Sequence, residues 1–410
     1  MTRYLPLVCL ALLHTTVDTC ALWVAPLWPG LETKFGLGVA ALSVAFIVQS
    51  MPTSLSQAVF GYVRDRRATP WVLWAGPVCA ACFLCLIGAT ANLGVLYVLL
   101  IVGGIGVGAF HPEGAVVAGR MIPEQRTRSL SLFMFGGSLG LALGPTLSGL
   151  VVSRWGMEGL SRLMLPMLAA VMLLAWMGGF LKRPAQQPAE QQAAGSRYGG
   201  LEGRAPLALL LLLICSLRLV PNMAMDKVLA FTMESRGFGT SGIGMTQSLF
   251  LISASAGMFI MAFRFRPGWE QPFMIWCPVA GIPLLLLLGW SGCPGWLFTA
   301  LLVPTGLLLW GTTPAMVSYA QQLFPKGAGL ASAITMGMSW GIGGLIQAPI
   351  TAYFQSQQAF HAFIPFLVIG AVGAYLLPAA SEAATQDSAP DLAAQPALAG
   401  TTLQAETAEA

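Results

Sequence analysis

Long apolar runs separated by short polar stretches make up most of the chain. A helix that crosses a bilayer needs about 20 mostly apolar residues. Runs meeting that need lie at 5–29, 39–63, 70–90, 93–118, 127–153, 158–181, 205–230, 245–263, 272–291, 295–320, 329–354 and 360–380. The pattern predicts an all-α integral membrane protein with twelve transmembrane helices. Only Arg3 precedes the first run, which contains His14 and Asp18. It is too long for a signal-peptide core and reads as a retained span.

Composition agrees with the pattern. Asp, Glu, Lys and Arg make up 9% of the 410 residues, against about 25% in a soluble domain. Apolar residues make up 56%, and the mean hydropathy is +0.74. Water cannot solvate that much hydrocarbon on a globule, so the expected solvent is lipid. No basic run could neutralise a phosphate track, which argues against nucleic-acid binding. The eight cysteines lie mostly inside apolar runs, which argues against a disulfide scaffold. Cys79, Cys82 and Cys85 mimic a metal spacing but read as small apolar residues on a lipid-embedded helix.

Charge sets the expected orientation. Basic loops favour the cytoplasm. With the N-terminus inside, the cytoplasmic loops hold Arg64, Arg66, Arg67, Arg120, Arg126 and Arg128, followed by Lys182 and Arg183. The outer loops hold Lys34, Arg154, Arg162 and Arg236. Both termini are therefore expected in the cytoplasm of a cell-membrane protein. Residues 182–204 are rich in Pro, Gly, Gln and Ala and read as a cytoplasmic linker. The tail 381–410 carries five acids and no base and is expected to be disordered.

The two halves, 1–181 and 205–380, repeat. A constant shift of 202 places Glu32 on Glu234, Lys34 on Arg236, Arg64 on Arg266, Pro112 on Pro314 and Pro123 on Pro325. Duplication of a six-helix unit makes both copies enter the membrane from the same side. Parallel repeats of this kind place a substrate site near the midplane between the halves. The polar chemistry differs between the copies. His14, Asp18, His111 and Glu113 align with Ser216, Val220, Thr313 and Ala315.

An ionisable side chain inside a bilayer is costly, so each one is a functional candidate. His14 and Asp18 share one helix face at i, i+4. They read either as a proton or substrate site, or as a polar pair locking helix one to a neighbour. Glu113 follows His111 and Pro112, where proline frees a carbonyl; its alternative role is pairing with Arg64, Arg120 or Arg126. Arg218 presents a planar fork suited to an anionic substrate, or to an ion pair with Asp18 or Glu113. Asp226 and Lys227 read as interface residues near the outer end. A His14/Asp18/His111/Glu113 metal site is a further alternative, although no metal or other cofactor is expected. Gly103, Gly104, Gly106 and Gly108, and then Gly136, Gly140 and Gly144, read as packing glycines, with Pro145 adding a bend. Trp23, Trp28, Trp155, Trp290 and Trp296 read as interfacial anchors, with a cavity-lining place as the alternative for Trp23.

Three stretches carry a family resemblance. They are His14-Thr-Thr-Val-Asp18; Phe110-His111-Pro112-Glu113-Gly114 with Gly136-Gly137-Ser138-Leu139-Gly140; and Tyr319-Ala320-Gln321-Gln322-Leu323-Phe324-Pro325. Across residues 5–380 the chain resembles the major facilitator superfamily. Within it, the chain is similar to the fosmidomycin-resistance-type exporters. Gly61-Tyr-Val-Arg64-Asp65-Arg66-Arg67 resembles the superfamily's loop 2–3 motif, although Ala68-Thr69-Pro70 follow where Gly and a base are usual. The resemblance implies a cytoplasmic gate at Asp65, Arg66, Arg120 and Arg128. Gly140 to Gly149 resembles the helix-five motif of proton-coupled exporters, with Ser148 where Gly is usual.

The expected function is secondary transport of a small solute by alternating access. More narrowly, it is proton-coupled export of a drug-like or anionic compound by a monomer. No Gly-x4-Gly-Lys-Ser/Thr stretch is present to bind ATP. A non-transporting sensor or assembly protein on the same fold is the alternative, and an enzyme is not expected.

Overall fold

The computed structural model describes residues 4–66, 69–122, 126–182, 205–264, 268–324 and 333–378. The linker past residue 182, the acidic tail, and the side chains of Asp65, Arg66 and Arg128 lie outside the described residues. Among the described residues the protein is all-helical. Ten helical segments are long and apolar enough to cross a membrane. The runs expected at 70–90 and 329–354 form the shorter helices α4 (Val72–Leu84) and α13 (Ser339–Tyr353).

The first and the tenth expected spans are each broken near prolines. The first is α1 (Leu5–Ala21), a short turn at Ala25–Leu27, and α2 (Trp28–Phe35). Pro26 and Pro29 explain the break, since neither has an amide to continue the helix ladder. The tenth is α11 (Gly295–Gly311) followed by α12 (Thr313–Leu323), with Pro314 in the first turn of α12. The other N-terminal helices are α3 (Val39–Arg66), α5 (Leu93–Met121), α6 (Arg126–Trp155) and α7 (Met164–Met177). The C-terminal half continues with α8 (Ala205–Ser235), α9 (Thr240–Arg264) and α10 (Glu270–Gly289). It ends with α14 (Ala359–Ala362) and α15 (Ile364–Leu376).

Each half has its own apolar core. One is built around Leu10, Val17, Phe46, Leu100 and Phe110. The other half is built around Phe250, Phe298, Leu302 and Phe360, and around Leu211, Met274, Met316 and Leu323. The halves join where α6 packs on α9 and α3 packs on α13. At one end α2 and the turn before it pack on α8. The sequence repeat has a structural counterpart there. Lys34 donates to the Gly88 carbonyl at 3.0 Å, and Arg236 donates to the Cys293 carbonyl at 3.2 Å. Each base ties the end of its first span to the loop beyond its third.

Glycine lets α1 and α6 approach closely. A Cβ at Gly136 would strike the Ala11 carbonyl, and one at Gly140 would strike the Thr15 carbonyl. One at Gly144 would fall 2.7 Å from the Thr19 carbonyl. The stripe lets α6 lie against the backbone of α1. Thr15 Oγ1 then donates to the Gly136 carbonyl at 2.8 Å, and Thr19 Oγ1 to that of Gly140 at 3.3 Å. Further along, α6 meets the other half: a Cβ at Gly244 would collide with the Pro145 carbonyl.

The tryptophans divide. Trp155, Trp290 and Trp296 are exposed, as interfacial anchors should be, whereas Trp23 and Trp28 are fully buried. The fold of the first span into α1 and α2 turns these two indoles into the N-terminal core.

Gly140→Val is expected to lower stability by about 1–3 kcal/mol, the usual penalty of overpacking a close contact. At Gly38 an added Cβ would meet nothing within 4 Å, so Gly38→Ala should change stability by no more than about 0.5 kcal/mol. Thermal unfolding of the detergent-solubilised protein compares the two. Equal effects would remove the glycine stripe as the determinant of α1–α6 packing.

Candidate functional site

The glycine stripe places an ionisable cluster inside the N-terminal half. Gly137 leaves room for His14 and Asp18, which a Cβ there would contact. His14 Nε2 lies 3.2 Å from Asp18 Oδ2, and His111 Nε2 of α5 lies 3.3 Å from Asp18 Oδ1. The Asp18 carboxylate thus sits between two imidazoles. Both rings are anchored at the other nitrogen: His14 Nδ1 is 2.8 Å from the Phe133 carbonyl, and His111 Nδ1 is 2.7 Å from that of Val107. A carbonyl only accepts, so each Nδ1 carries hydrogen. Each Nε2–oxygen contact then needs a proton of its own, on the ring or on the carboxyl group.

The surroundings are apolar. The His14 ring stacks on Phe133 at 4.1 Å and lies 5.7 Å from Phe110. The His111 side chain remains 23% exposed, against 3% for His14 and 7% for Asp18. The cluster is therefore least enclosed on the His111 side. Pro112 withholds the amide that would bond the Gly108 carbonyl, and this loosens the turn that carries His111.

Glu113 stands apart from that cluster. Its Oε2 is 2.6 Å from Arg64 Nε and accepts from Thr69 Oγ1 at 2.9 Å. Of the partners open to it, Arg64 is at its side and Arg120 is exposed, while the side chain of Arg126 lies outside the described residues. The four-residue metal set is therefore not assembled. His14, Asp18 and His111 group together without Glu113, at contacts of hydrogen-bond length.

Arg218 pairs with neither Asp18 nor Glu113. Its Nη2 donates to the Leu309 carbonyl at 3.0 Å, and Nη1 lies against Met316 Sδ. Leu309 is in the last turn of α11, just before the break at Thr312. The guanidinium sits at the negative end of that helix, where a cation is favoured.

Between the halves lies a cavity of about 130 Å³. Leu22, Gln49, Ser50 and Leu141 line it from the N-terminal half. Asn222, Asp226, Lys227, Gln247, Phe250, Trp310, Trp340 and Gln347 line it from the C-terminal half. Leu22 is one turn beyond Asp18 on the same helix run, so one segment links the ionisable cluster to the cavity. A larger hollow of about 580 Å³ at Trp290, Gln358 and His361 lies elsewhere on the C-terminal half. It contains none of the ionisable residues singled out from the sequence, and its open, shallow form makes it the weaker candidate.

Comparison with known proteins fits this architecture of two halves around a cavity. The family model of the Major Facilitator Superfamily matches residues 7–348. The chain belongs to that superfamily.

The Fosmidomycin resistance protein of Escherichia coli (strain K12) is 24% identical over 344 residues, covering 82% of this chain and 83% of the relative. The uncharacterized MFS-type transporter YfnC of Bacillus subtilis (strain 168) is 25% identical over 389 residues, covering 92% and 93%. Among solved structures, a bacterial homologue of the human lysosomal transporter Spinster, inward-facing and unoccupied, is similar with a TM-score of 0.74 at 13% identity. That likeness covers 94% of this chain and 98% of the other. This superfamily member is thus a secondary transporter and a multi-pass membrane protein, not an enzyme.

Sequence reasoning centred on charges passes over most of the cavity of this transporter. Asp226 and Lys227, read as outer-end interface residues, face it. Gln49, Asn222, Gln247, Trp310 and Trp340 were not singled out. The available signal was amide side chains inside apolar runs, which lipid disfavours almost as it disfavours charge.

Glu113→Gln leaves the Arg64 guanidinium buried without its counter-ion. Breaking a buried pair in this way typically costs about 3–5 kcal/mol, whereas replacing both partners by apolar residues is close to neutral. The thermal midpoint is expected to fall in Glu113→Gln and to recover largely in Arg64→Met/Glu113→Leu. A double variant as unstable as the single one would show that the pair is not what the region depends on.

Proposed function

We propose that this transporter is a proton-coupled exporter of a small drug-like solute, acting as a monomer with its Arg-rich end in the cytoplasm. The observation that carries the reading is the Asp18 carboxylate held between two Nε2 atoms whose rings are tied at Nδ1. With two protons both contacts are hydrogen bonds. With one, lone pair faces lone pair at one contact. Proton loss therefore weakens the join between α1 and α5 at the loosened turn before Pro112.

The other titratable group packed close by is the thiol of Cys20, near Cys85 of α4; α6 presents glycine, and Arg64 and Glu113 are occupied with each other. The His–Asp cluster is the proposed coupling unit. Because α1 continues past Asp18 to Leu22 at the cavity, a shift of α1 against α5 is felt at the solute site. The resistance function in the name of the Escherichia coli relative supports export. One proton moving through 100 mV carries about 2.3 kcal/mol, enough to sustain a solute gradient of about fifty-fold. The resemblance of the loop 2–3 segment further supports a cytoplasmic gate at Asp65, Arg66, Arg120 and Arg128.

The experiment is solute flux in proteoliposomes under an imposed pH gradient. Asp18→Asn is expected to lose uphill, pH-driven accumulation while keeping exchange of solute across the membrane without a gradient. Full uphill transport with an unchanged pH profile in that variant would show that coupling lies elsewhere.

A further inference from the structure

Most of the polar residues lining the cavity between the halves have their hydrogen-bonding atoms turned away from it or sealed. Gln347 Nε2 donates to the Gly344 carbonyl at 3.2 Å, and its Oε1 accepts from Thr351 Oγ1 at 2.9 Å. Ser50 Oγ donates to the Phe46 carbonyl at 3.1 Å. Gln247 Nε2 donates to the carbonyls of Ala25, at 3.0 Å, and Asp226. Asn222 Nδ2 donates to the Leu309 carbonyl at 3.0 Å. The side-chain oxygens of Gln247 and Asn222, and the indole nitrogens of Trp310 and Trp340, are enclosed by surrounding atoms. The cavity therefore presents mostly hydrocarbon and ring carbon, from Leu141, Met223 and Leu251 and from Phe250, Trp310 and Trp340.

Its charge is internally balanced. Lys227 Nζ lies 3.0 Å from both carboxylate oxygens of Asp226 and 5.5 Å from the centre of the Phe46 ring. Arg218, the other cation of α8, is turned to the Leu309 carbonyl and Met316. An entering ion would have to break the Asp226–Lys227 pair or remain uncompensated. A hydroxyl-rich solute would give up its water for a wall that offers few partners in return. An apolar solute loses no such bonds and gains by leaving water.

We propose that this cavity binds an uncharged aromatic compound of about one ring. Size sets the scale: an apolar cavity of about 150 Å³ takes up benzene, and this one measures about 130 Å³. The wall favours a flat ring over a saturated one. Trp310 and Trp340 lie edge to face with ring centres 5.4 Å apart, and Phe250 lines the same space. A further aromatic ring extends that cluster and gains beyond the burial of its area. The inference names a class for the solute and rests on the transport reading for its passage, but the binding step can be measured without transport.

The test uses the purified full chain in lipid nanodiscs, with fluorobenzene as the probe and fluorine NMR as the readout. Empty nanodiscs give the uptake by lipid, and the saturable remainder reports the site. Competitors matched in size then displace it. Toluene is expected to compete, and benzoate, benzylammonium and D-xylose to compete at least about tenfold more weakly. Cyclohexane is expected to be about two- to tenfold weaker than toluene. Leu141→Trp and Met223→Trp fill the cavity from α6 and α8, and each should weaken fluorobenzene by about tenfold or more. Leu141→Asn keeps the size but puts an amide in the wall, and should weaken it about three- to tenfold. Leu165→Trp makes the same kind of change at a position that is 72% exposed and should leave binding as it is. Thermal midpoints identify which variants are folded, and Leu141→Asn serves if the bulkier ones are not.

No saturable binding of fluorobenzene, displacement by benzoate or D-xylose as readily as by toluene, cyclohexane bound as tightly as toluene, or binding unmoved in every folded cavity variant would each overturn the inference. Fluorobenzene crosses lipid unaided, so a proton-coupled exporter that carries it speeds the collapse of an imposed pH gradient in proteoliposomes. Saturable binding without faster collapse sustains the inference and removes the proton-coupled reading. Collapse driven by D-xylose, with no ring bound, does the reverse.

Discussion

A carboxylate buried in a bilayer-embedded bundle has to be surrounded by hydrogen, and the arrangement around Asp18 follows from that need. Two imidazoles face it, and two backbone carbonyls hold the imidazoles in place. That geometry is possible only because α6 carries glycine where it crosses α1. A side chain at Gly137 would occupy the space of His14 and Asp18. A side chain at Gly140 would push the helices apart and break the threonine–carbonyl bonds that hold them together. Packing and chemistry therefore depend on the same few atoms.

The other buried charges are resolved locally as well. Glu113 is matched by Arg64 and Thr69, Asp226 by Lys227, and Arg218 by the carbonyl end of α11. In a medium that solvates ions poorly, a charge without a partner is worth several kcal/mol of instability. Each of these solutions differs in what it leaves free. The Arg64–Glu113 pair closes on itself and reads as structure. The His14–Asp18–His111 cluster joins α1 to α5 through one carboxylate. The Asp226–Lys227 pair balances its own charge at the wall of the central cavity.

The two halves repeat the same landmarks but carry different polar side chains. In this chain the ionisable cluster belongs to the N-terminal half, and most cavity-lining polar side chains belong to α8, α9, α11 and α13 of the C-terminal half. The shared prolines serve each copy differently. Pro112 loosens the turn that presents His111. Pro314 accompanies the break between α11 and α12, beside the carbonyl that Arg218 and Asn222 share. One duplicated proline thus stands beside a histidine in one half and an anchored amide in the other.

The all-helical membrane fold was legible in the sequence because apolar run length and the scarcity of charge are properties of the chain alone, and lipid leaves the backbone few other options. The 202-residue repeat was legible because scaffold prolines and end charges keep their spacing. His14 and Asp18 could be placed on one helix face by the i, i+4 rule. Their meeting with His111 could not, since that contact joins distant parts of the chain and depends on how α1, α5 and α6 pack. Glu113 had several basic partners open to it until the fold brought Arg64 to its side. Arg218 resembled an anion site as long as the break in the tenth span, and the carbonyl it exposes, was unknown. The cavity itself was hidden for the same reason. Its walls come from separate stretches of both halves, and an amide inside an apolar run is informative only once the packing shows which of its two ends is already bonded.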